Sequence, residues 1–141
     1  MHSSEAARQT VRDRLQSIPI FETLRLRAGE MADGRAQLTA PYEKKFDGIF
    51  HSYHGGLLMT LAYTAACLAV LTLAGADAAV TTTDMNIRFL APCLSDATAE
   101  ARVIKFGRTL CPVEVMIRDT AGKDVALAQV TYMRLEKMPS R

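Results

Sequence analysis

The tripeptide His54-Gly55-Gly56, which stands directly before a long apolar run, is the most informative chemical feature of the chain. Glycines at the start of a helix leave backbone N–H groups without intrahelical partners, and their missing side chains let a ligand approach those groups. The positive end of the helix dipole points to the same place. A carbonyl bound there would find donors ready for the negative charge that develops when its carbon is attacked. The motif therefore indicates acyl-transfer chemistry, although an isolated His-Gly-Gly is also typical of a tight turn with a surface histidine.

The apolar run from about Gly55 to Ala74 is the element that must position this motif. Apolar residues cover every face of the predicted helix, so the helix must be buried either in protein or in lipid. No charged residue occurs between Leu57 and Ala74, and this length approaches the lower limit for a membrane span.

Strands with one apolar face are predicted after the helix. A stop at Gly75-Ala76-Asp77 precedes strands at about Val80 to Leu90, Ala97 to Phe106, Leu110 to Arg118, and Asp124 to Leu135. Short connections between them predict a long antiparallel meander. The apolar face of the sheet and the apolar helix can bury each other. Burial within a curled sheet therefore explains the helix better than a bilayer does.

The first fifty residues predict simpler elements. Residues from about Ser4 to Ile18 have the spacing of an amphipathic helix, which Pro19 helps to end. From Phe21 to Ala40 the pattern favours a hairpin of extended chain with a turn at Asp33-Gly34. The stretch from Pro41 to Tyr53 has no consistent period and is predicted to be a loop.

Composition limits the classes of partner and cofactor. The 141 residues fit one domain, and the net charge of +2 comes from interspersed residues without a basic run, so nucleic acid is not an expected partner. The cysteines lack metal-ligand spacing, so no metal site is predicted, and a catalytic cysteine would need a base beside it. The first eight residues have neither a secretory nor a transit-peptide pattern, so the cytoplasm is the expected location and no membrane association is expected.

Three further segments complete a family resemblance. Together with Thr82 to Pro92, Gly107-Arg108, and Ala126 to Tyr132, the His-Gly-Gly motif resembles the hotdog-fold thioesterases of the phenylacetate-degradation type, over about Gly34 to Met133. The resemblance implies an α+β hotdog fold, in which a five- or six-stranded antiparallel sheet wraps around one long helix. With the length and the helical spacing described above, we expect a single domain over 1–141, with an additional N-terminal helix in 1–20 and the hotdog core in 34–135. The resemblance also implies an acyl-CoA substrate bound between two subunits of a homodimer, often within a homotetramer, and no metal or redox cofactor beyond the coenzyme A of the substrate.

The position that usually carries the family's catalytic carboxylate is different here. Members usually have Asp or Glu nine residues after the motif histidine, where this chain has Tyr63, and a phenol is a poor base at neutral pH. Some hotdog thioesterases take their essential aspartate from the loop before the helix. Asp47 is therefore the first candidate for activating water, with His51 or His54 as alternative bases. The alternatives are that Asp47 is a turn residue, His51 a solvent-exposed residue, and Tyr63 a residue that fills core space.

Residues that would bind the substrate follow from the same resemblance. The amides of Gly55 and Gly56 would face the thioester, and Thr82 matches a threonine near it. Thr83 is a further candidate, although a run of threonines also suits a strand. Arg108 fits a basic residue near the coenzyme A phosphates, where a guanidinium binds bidentately, and its alternative is an exposed turn arginine.

Three functions remain open at this point. In the first, the Gly56 N–H polarises the thioester carbonyl, water activated by Asp47 or a histidine attacks it, and coenzyme A departs. In the second, the tyrosine at position 63 marks an acyl-CoA binder or sensor without turnover. In the third, the chain is a structural partner subunit whose groove is closed by Leu58, Met59 and Tyr63.

Overall fold

The computed structural model describes residues 4–137, in which six strands form one antiparallel sheet against a long helix. Two short helices precede the sheet, and a 3-10 turn at Lys44–Phe46 lies in the loop between the second strand and the long helix. The bounds in chain order are α1 Glu5–Gln16, α2 Pro19–Thr23, β1 Arg27–Ala32, β2 Arg35–Ala40, α3 Gly55–Ala74, β3 Val80–Phe89, β4 Ala97–Val103, β5 Leu110–Arg118 and β6 Asp124–Arg134.

The order of strands in the sheet is β1-β2-β4-β5-β6-β3. The predicted meander is therefore correct for β4, β5 and β6 but wrong for β3, which pairs with β6 so that Val80 lies opposite Arg134 and Phe89 opposite Ala126. The physical reason is the difference in side chains. β4 presents buried alanines that let α3 pack closely at the centre of the sheet, whereas β3 has no fully buried residue and suits an edge.

The β1–β2 hairpin forms as predicted, with Asp33 and Gly34 both at positive φ in its turn. The chain before it differs from the prediction, because the segment from Phe21 that was expected to be extended begins as part of helix α2. Pro19 explains this difference: a proline that cannot continue α1 has the fixed φ that suits the first position of a new helix.

Helix α3 is buried against the sheet along one side only. Ten of its residues are buried, and α1 covers part of the remainder through Val11 and Leu15. The prediction that every face of α3 is enclosed is wrong for a stripe that includes Gly56, Thr60 and Tyr63. Tyr63 itself is 43% exposed. By length and composition α3 would also suit a membrane span, but 56% of the apolar window lies inside the fold, which accounts for its composition.

Candidate active site

Helix α3 begins at Gly55, and His54 caps it. The Gly56 N–H donates to Nδ1 of His54 at 2.9 Å, in the way that an asparagine side chain caps a helix. This contact requires the tautomer of His54 that carries its proton on Nε2. The Gly56 amide was expected to be free for a substrate carbonyl. Here it is already bound to the motif histidine.

Gly55 provides the open donor at this helix start. Its N–H has no hydrogen-bond partner among residues 4–137, whereas the amides of Leu57 and Leu58 donate to the His54 carbonyl at 3.0 and 3.1 Å. The ring of Phe89 lies against the same spot, because a Cβ added to Gly55 would be 3.0 Å from Phe89 Cζ. Because Gly55 has no side chain, its N–H stays accessible beside the ring of Phe89.

The loop before α3 is a tight hairpin rather than an irregular stretch. Asp47 and Tyr53 form a bridge, and the Gly48 N–H donates to the Ser52 carbonyl at 2.8 Å. His51 lies in the turn at φ 59° and is exposed, and no side-chain hydrogen bond of His51 occurs in the range 4–137. The structure thus keeps Asp47 next to the helix start and gives His51 the surroundings of a turn residue.

Asp47 and His54 line one shallow depression of about 190 Å³, together with Lys45, Phe46 and Leu57. The hydroxyl of Tyr42 donates to Oδ1 of Asp47 at 2.6 Å, and this hydrogen bond is the main reason that the pKa of Tyr42 is raised. The loop carboxylate, the motif histidine and the helix start are therefore brought together.

Tyr63 belongs to a second group of polar side chains. The Thr82 hydroxyl donates to Oη of Tyr63 at 2.8 Å, and the hydroxyl of buried Tyr132 donates to the Tyr63 carbonyl at 2.9 Å. Because Tyr63 Oη accepts from Thr82, its own proton is available for another acceptor. Tyr63 is thus arranged as a hydrogen-bond donor, in the place where the family usually has a base.

Thr83 is not brought to this group. It lies at an irregularity in the pairing of β3 with β6, and its hydroxyl donates to Asp84 Oδ1 at 2.8 Å and to the Thr131 carbonyl at 3.2 Å. A bulge turns a side chain away from the alternation of its strand. The structure therefore separates Thr83 from Thr82, which the sequence had grouped together.

Arg108 lies in the β4–β5 connection, at the same end of the sheet as Thr82. Arg134, opposite Val80, donates to the Gly107 carbonyl at 3.3 Å and places its guanidinium 4.2 Å from the centre of the Phe106 ring. These contacts hold the connection that carries Arg108, which is itself exposed.

The two groups lie at opposite ends of β3. Phe89 marks the end next to Gly55, and Thr82 marks the end next to Tyr63. They are seven residues apart, which at about 3.3 Å per residue is roughly 20 Å. The two groups are therefore separate from each other within one chain.

No group of three or more potential metal ligands occurs among His, Cys, Asp and Glu of the described range 4–137. The three thiols are protonated at neutral pH, because burial raises the pKa of Cys67, Cys93 and Cys111. A thiol in that state is a weak nucleophile, which argues against a catalytic cysteine.

Sequence reasoning assigned no role to three residues of these groups, Tyr42, Phe89 and Tyr132. Tyr42 lies outside the segments that carry the resemblance, whereas Tyr132 ends one of them, and the contacts of both tyrosines become visible only in the folded chain. Phe89 could have been found, because it belongs to the Phe-Leu-Ala-Pro segment that carried part of the resemblance.

Comparison with known proteins agrees with this fold and this motif. The family model of the thioesterase superfamily matches residues 50–126, more than half of the chain. A protein of Saccharolobus solfataricus that is named as an esterase is 32% identical over 105 residues, which are 74% of each chain. An esterase-named protein of Halobacterium salinarum is 33% identical over 105 residues, or 67% of this chain and 68% of the relative.

Solved structures have the same architecture. A thioesterase family protein from Silicibacter pomeroyi matches with a TM-score of 0.84 and 29% identity, over 90% of this chain and 96% of that one. The PaaI protein from the phenylacetic acid degradation operon of E. coli has a TM-score of 0.83 over 94% of this chain and 99% of its own, and at 22% identity it supports the fold. The chain therefore belongs to the thioesterase superfamily, with the hotdog fold and of the PaaI-like type, and its general activity is that of a thioester hydrolase.

Proposed function

We propose that the protein is an acyl-CoA thioesterase, which hydrolyses an acyl-CoA thioester to the free acid and coenzyme A in the cytoplasm. The observation that carries the proposal is the unpartnered Gly55 N–H at the start of α3, beside the Asp47 carboxylate and His54. A carbonyl and a water molecule could be bound there next to a donor and a base. No metal or redox cofactor is part of the proposal.

The reaction begins with the thioester carbonyl accepting a hydrogen bond from the Gly55 N–H, aided by the positive end of the helix dipole. Asp47 takes a proton from water, and the resulting hydroxide equivalent attacks the carbonyl carbon. The tetrahedral intermediate then collapses, the carbon–sulfur bond breaks, and coenzyme A leaves as the thiolate. A change of the His54 rotamer would release the Gly56 N–H as a second donor for the oxyanion.

Tyr63 has the role of a donor in this proposal. Its hydroxyl proton is free because Oη accepts from Thr82, so it can donate to the thioester or to the departing sulfur. The base role has then moved from the helix to the loop, where Asp47 supplies the carboxylate.

A homodimer would complete the site. β3 forms one edge of the sheet and pairs only with β6 within the described residues. Antiparallel pairing of two β3 strands about a two-fold axis would bring the Gly55 end of one copy to the Thr82 end of the other. The Gly55 amide and Asp47 would then face Tyr63 and Thr82 of a second copy, and the proposal extends to a homotetramer of two such dimers.

Arg108 is proposed to bind the coenzyme A phosphates. It lies on the Thr82 end of the sheet, and the Arg134 contacts hold its connection in place. A guanidinium there can bind phosphate oxygens bidentately.

The experiment that tests the function is an assay of purified protein with a panel of acyl-CoAs and a thiol-reactive dye. The panel includes straight-chain acyl groups and phenylacetyl-CoA, because the E. coli PaaI relative is named for phenylacetic acid degradation. Release of thiol with at least one substrate, lost in Asp47→Asn, is the expected result.

A non-catalytic acyl-CoA binder is the second candidate, favoured by the tyrosine at position 63 where the family usually has a carboxylate. Calorimetry on the same panel separates the two: binding without thiol release would establish the binder, and neither binding nor release would leave the structural partner subunit.

A further inference from the structure

We propose that Tyr42 is a positioning residue, which holds the Asp47 carboxylate beside the start of α3 with one oxygen free to activate water. This inference rests on the proposed function and names the residue that lets a loop carboxylate replace a helix carboxylate. Tyr42 has no place in the family resemblance or in any motif of the chain.

The contact between the two side chains is short and uses one carboxylate oxygen. The Oη to Oδ1 distance of 2.6 Å is in the range of hydrogen bonds from a hydroxyl to a charged oxygen. Oδ2 of Asp47 has no hydrogen-bond partner within residues 4–137. The hydrogen bond therefore fixes the rotamer of Asp47 through Oδ1 and leaves Oδ2 accessible to a water molecule.

Tyr42 is itself held both at its backbone and at its ring. The backbone N–H of Tyr42 donates to Oδ1 of Asp96 at 2.7 Å, and Oδ2 of Asp96 accepts from Arg27 at 3.1 Å. Its ring meets the ring of buried Tyr53 edge-on, at a centroid distance of 5.9 Å, and Tyr53 stacks on Phe46 at 6.0 Å. These contacts hold the Tyr42 hydroxyl in one position, from which it can orient the carboxylate of Asp47.

The backbone around Asp47 is also fixed, so rotation of its side chain is the main freedom that remains. The Asp47 N–H donates to the Lys44 carbonyl at 3.1 Å, and the His54 N–H donates to the Phe46 carbonyl at 2.8 Å. Lys45 and His54 are the titratable side chains that line the depression with Asp47. Neither makes a hydrogen bond to Asp47 within the described range, whereas Tyr42 does.

The variant Tyr42→Phe tests the inference in the acyl-CoA assay. We expect kcat to fall roughly 10- to 100-fold, as for other small misplacements of reacting groups. The KM should change by less than about twofold, because the substrate contacts are intact.

Tyr53→Phe is the matched control, since it also removes one tyrosine hydroxyl from the same ring cluster. The Tyr53 hydroxyl donates to the Pro41 carbonyl at 3.1 Å and not to Asp47. We expect this variant to lose stability but to keep the kcat of the wild type. A Tyr42→Phe protein with the kcat of an active wild type would overturn the inference.

A second measurement does not depend on activity or on folding of the Tyr42 variant. The contact raises the pKa of the Tyr42 phenol above its ordinary value of 10.0. Carbon NMR of labelled tyrosine rings should detect this raised pKa in the wild type and a lower one in Asp47→Asn, where the charge is gone. An ordinary pKa of Tyr42 in the wild type would overturn the positioning role, whereas failure of the wild type to hydrolyse any acyl-CoA would overturn the proposed function instead.

Discussion

Gly55 combines an open backbone donor with a close approach of the Phe89 ring to the start of α3. Its N–H is unpartnered among residues 4–137, and Phe89 covers the position where a side chain would start. A methyl group there would press on Phe89, but that residue is 52% exposed and can move away at small cost. In the proposed mechanism the glycine therefore matters for access to its N–H more than for folding.

Replacing Gly55 by alanine should separate activity from stability. Alanine has a helix propensity better than glycine by roughly 1 kcal/mol, so we expect the melting temperature to stay the same or to rise. The added methyl stands in the path of the thioester, so kcat/KM should fall at least about tenfold, as for loss of an oxyanion donor. Thermal unfolding and the thiol-release assay measure the two effects, and a fall in melting temperature that parallels the loss of activity would contradict this role.

In the proposed mechanism Asp47 of the loop is the base and Tyr63 of α3 is a donor, and a double substitution can test this assignment. Asp47→Asn should lower kcat roughly 100-fold or more, because it removes the base. Adding Tyr63→Asp should restore part of that activity, since a carboxylate at a position that is 43% exposed is only modestly desolvated. Single-turnover assays of the wild type, both single variants and the double variant measure this.

The informative comparison is the double variant with Asp47→Asn alone. Equal rates in these two proteins would mean that a carboxylate on α3 cannot reach the thioester, and the proposed assignment of Tyr63 to the active site would be wrong.

At the scale of secondary-structure elements, β3 runs between the two polar groups and is also the proposed dimer contact. Its residues include no buried side chain, and its partner within the described chain is β6 alone. An edge strand of this length has backbone groups that a second strand can pair with.

A lysine in the middle of β3 should therefore weaken the dimer. Asn86 is exposed near the middle of β3, so Asn86→Lys would add a long charged side chain next to Arg88 in the proposed contact. We expect the dimer dissociation constant to rise at least about tenfold, since a two-fold contact must accommodate the added charge twice. Sedimentation velocity over a range of concentrations measures it, and activity should fall in proportion to the dimer.

Gln129→Lys is the control for this substitution. Gln129 is the partner of Asn86 on β6 and is exposed on the same face, but it lies one strand away from the edge. This control should have the dissociation constant of the wild type. If both variants remain dimeric and active, β3 is not the contact.

At the scale of the whole molecule, buried tyrosines and thiols make stability depend on alkaline pH. Burial raises the pKa of Tyr53 to about 12 and raises the pKa of Tyr132 and of the three thiols, whose ordinary value is 9.0. The unfolded chain therefore loses these protons first as pH rises. Stability falls wherever the unfolded state binds fewer protons than the folded state.

The free energy of unfolding should consequently be fully maintained below about pH 9 and decline steadily between pH 9 and 12. Urea denaturation at several pH values in this window measures the slope. Tyr53→Phe should have a shallower decline, because it removes one of the contributing groups. A free energy of unfolding that stays flat or increases across the window would contradict the assignment of these groups to the core.

The parts of the fold that local patterns determine could be predicted from the sequence. Helix α3 began and ended at the predicted residues, because an uninterrupted apolar run and a glycine stop are local signals. The position of β3 in the sheet could not be predicted, because adjacent strands in sequence usually pair and only packing against α3 favours the central place for β4. The same limit applies to the site: the motif identified the helix start, whereas the His54 cap and the Tyr42 contact depend on rotamers and on folded neighbours.

The second edge strand of the sheet is β1, and it differs in structure from the edge strand β3. β1 is six residues long, its register shifts between Ala28 and Met31, and the charged side chains of Arg27 and Glu30 are exposed along it. Irregular, charged and short borders resist the addition of strands. In the proposed dimer, association through β3 alone saturates once two copies have met, whereas a second edge open to pairing would permit open-ended growth into fibrils. The irregular and charged edge at β1 therefore favours a closed assembly over a polymer.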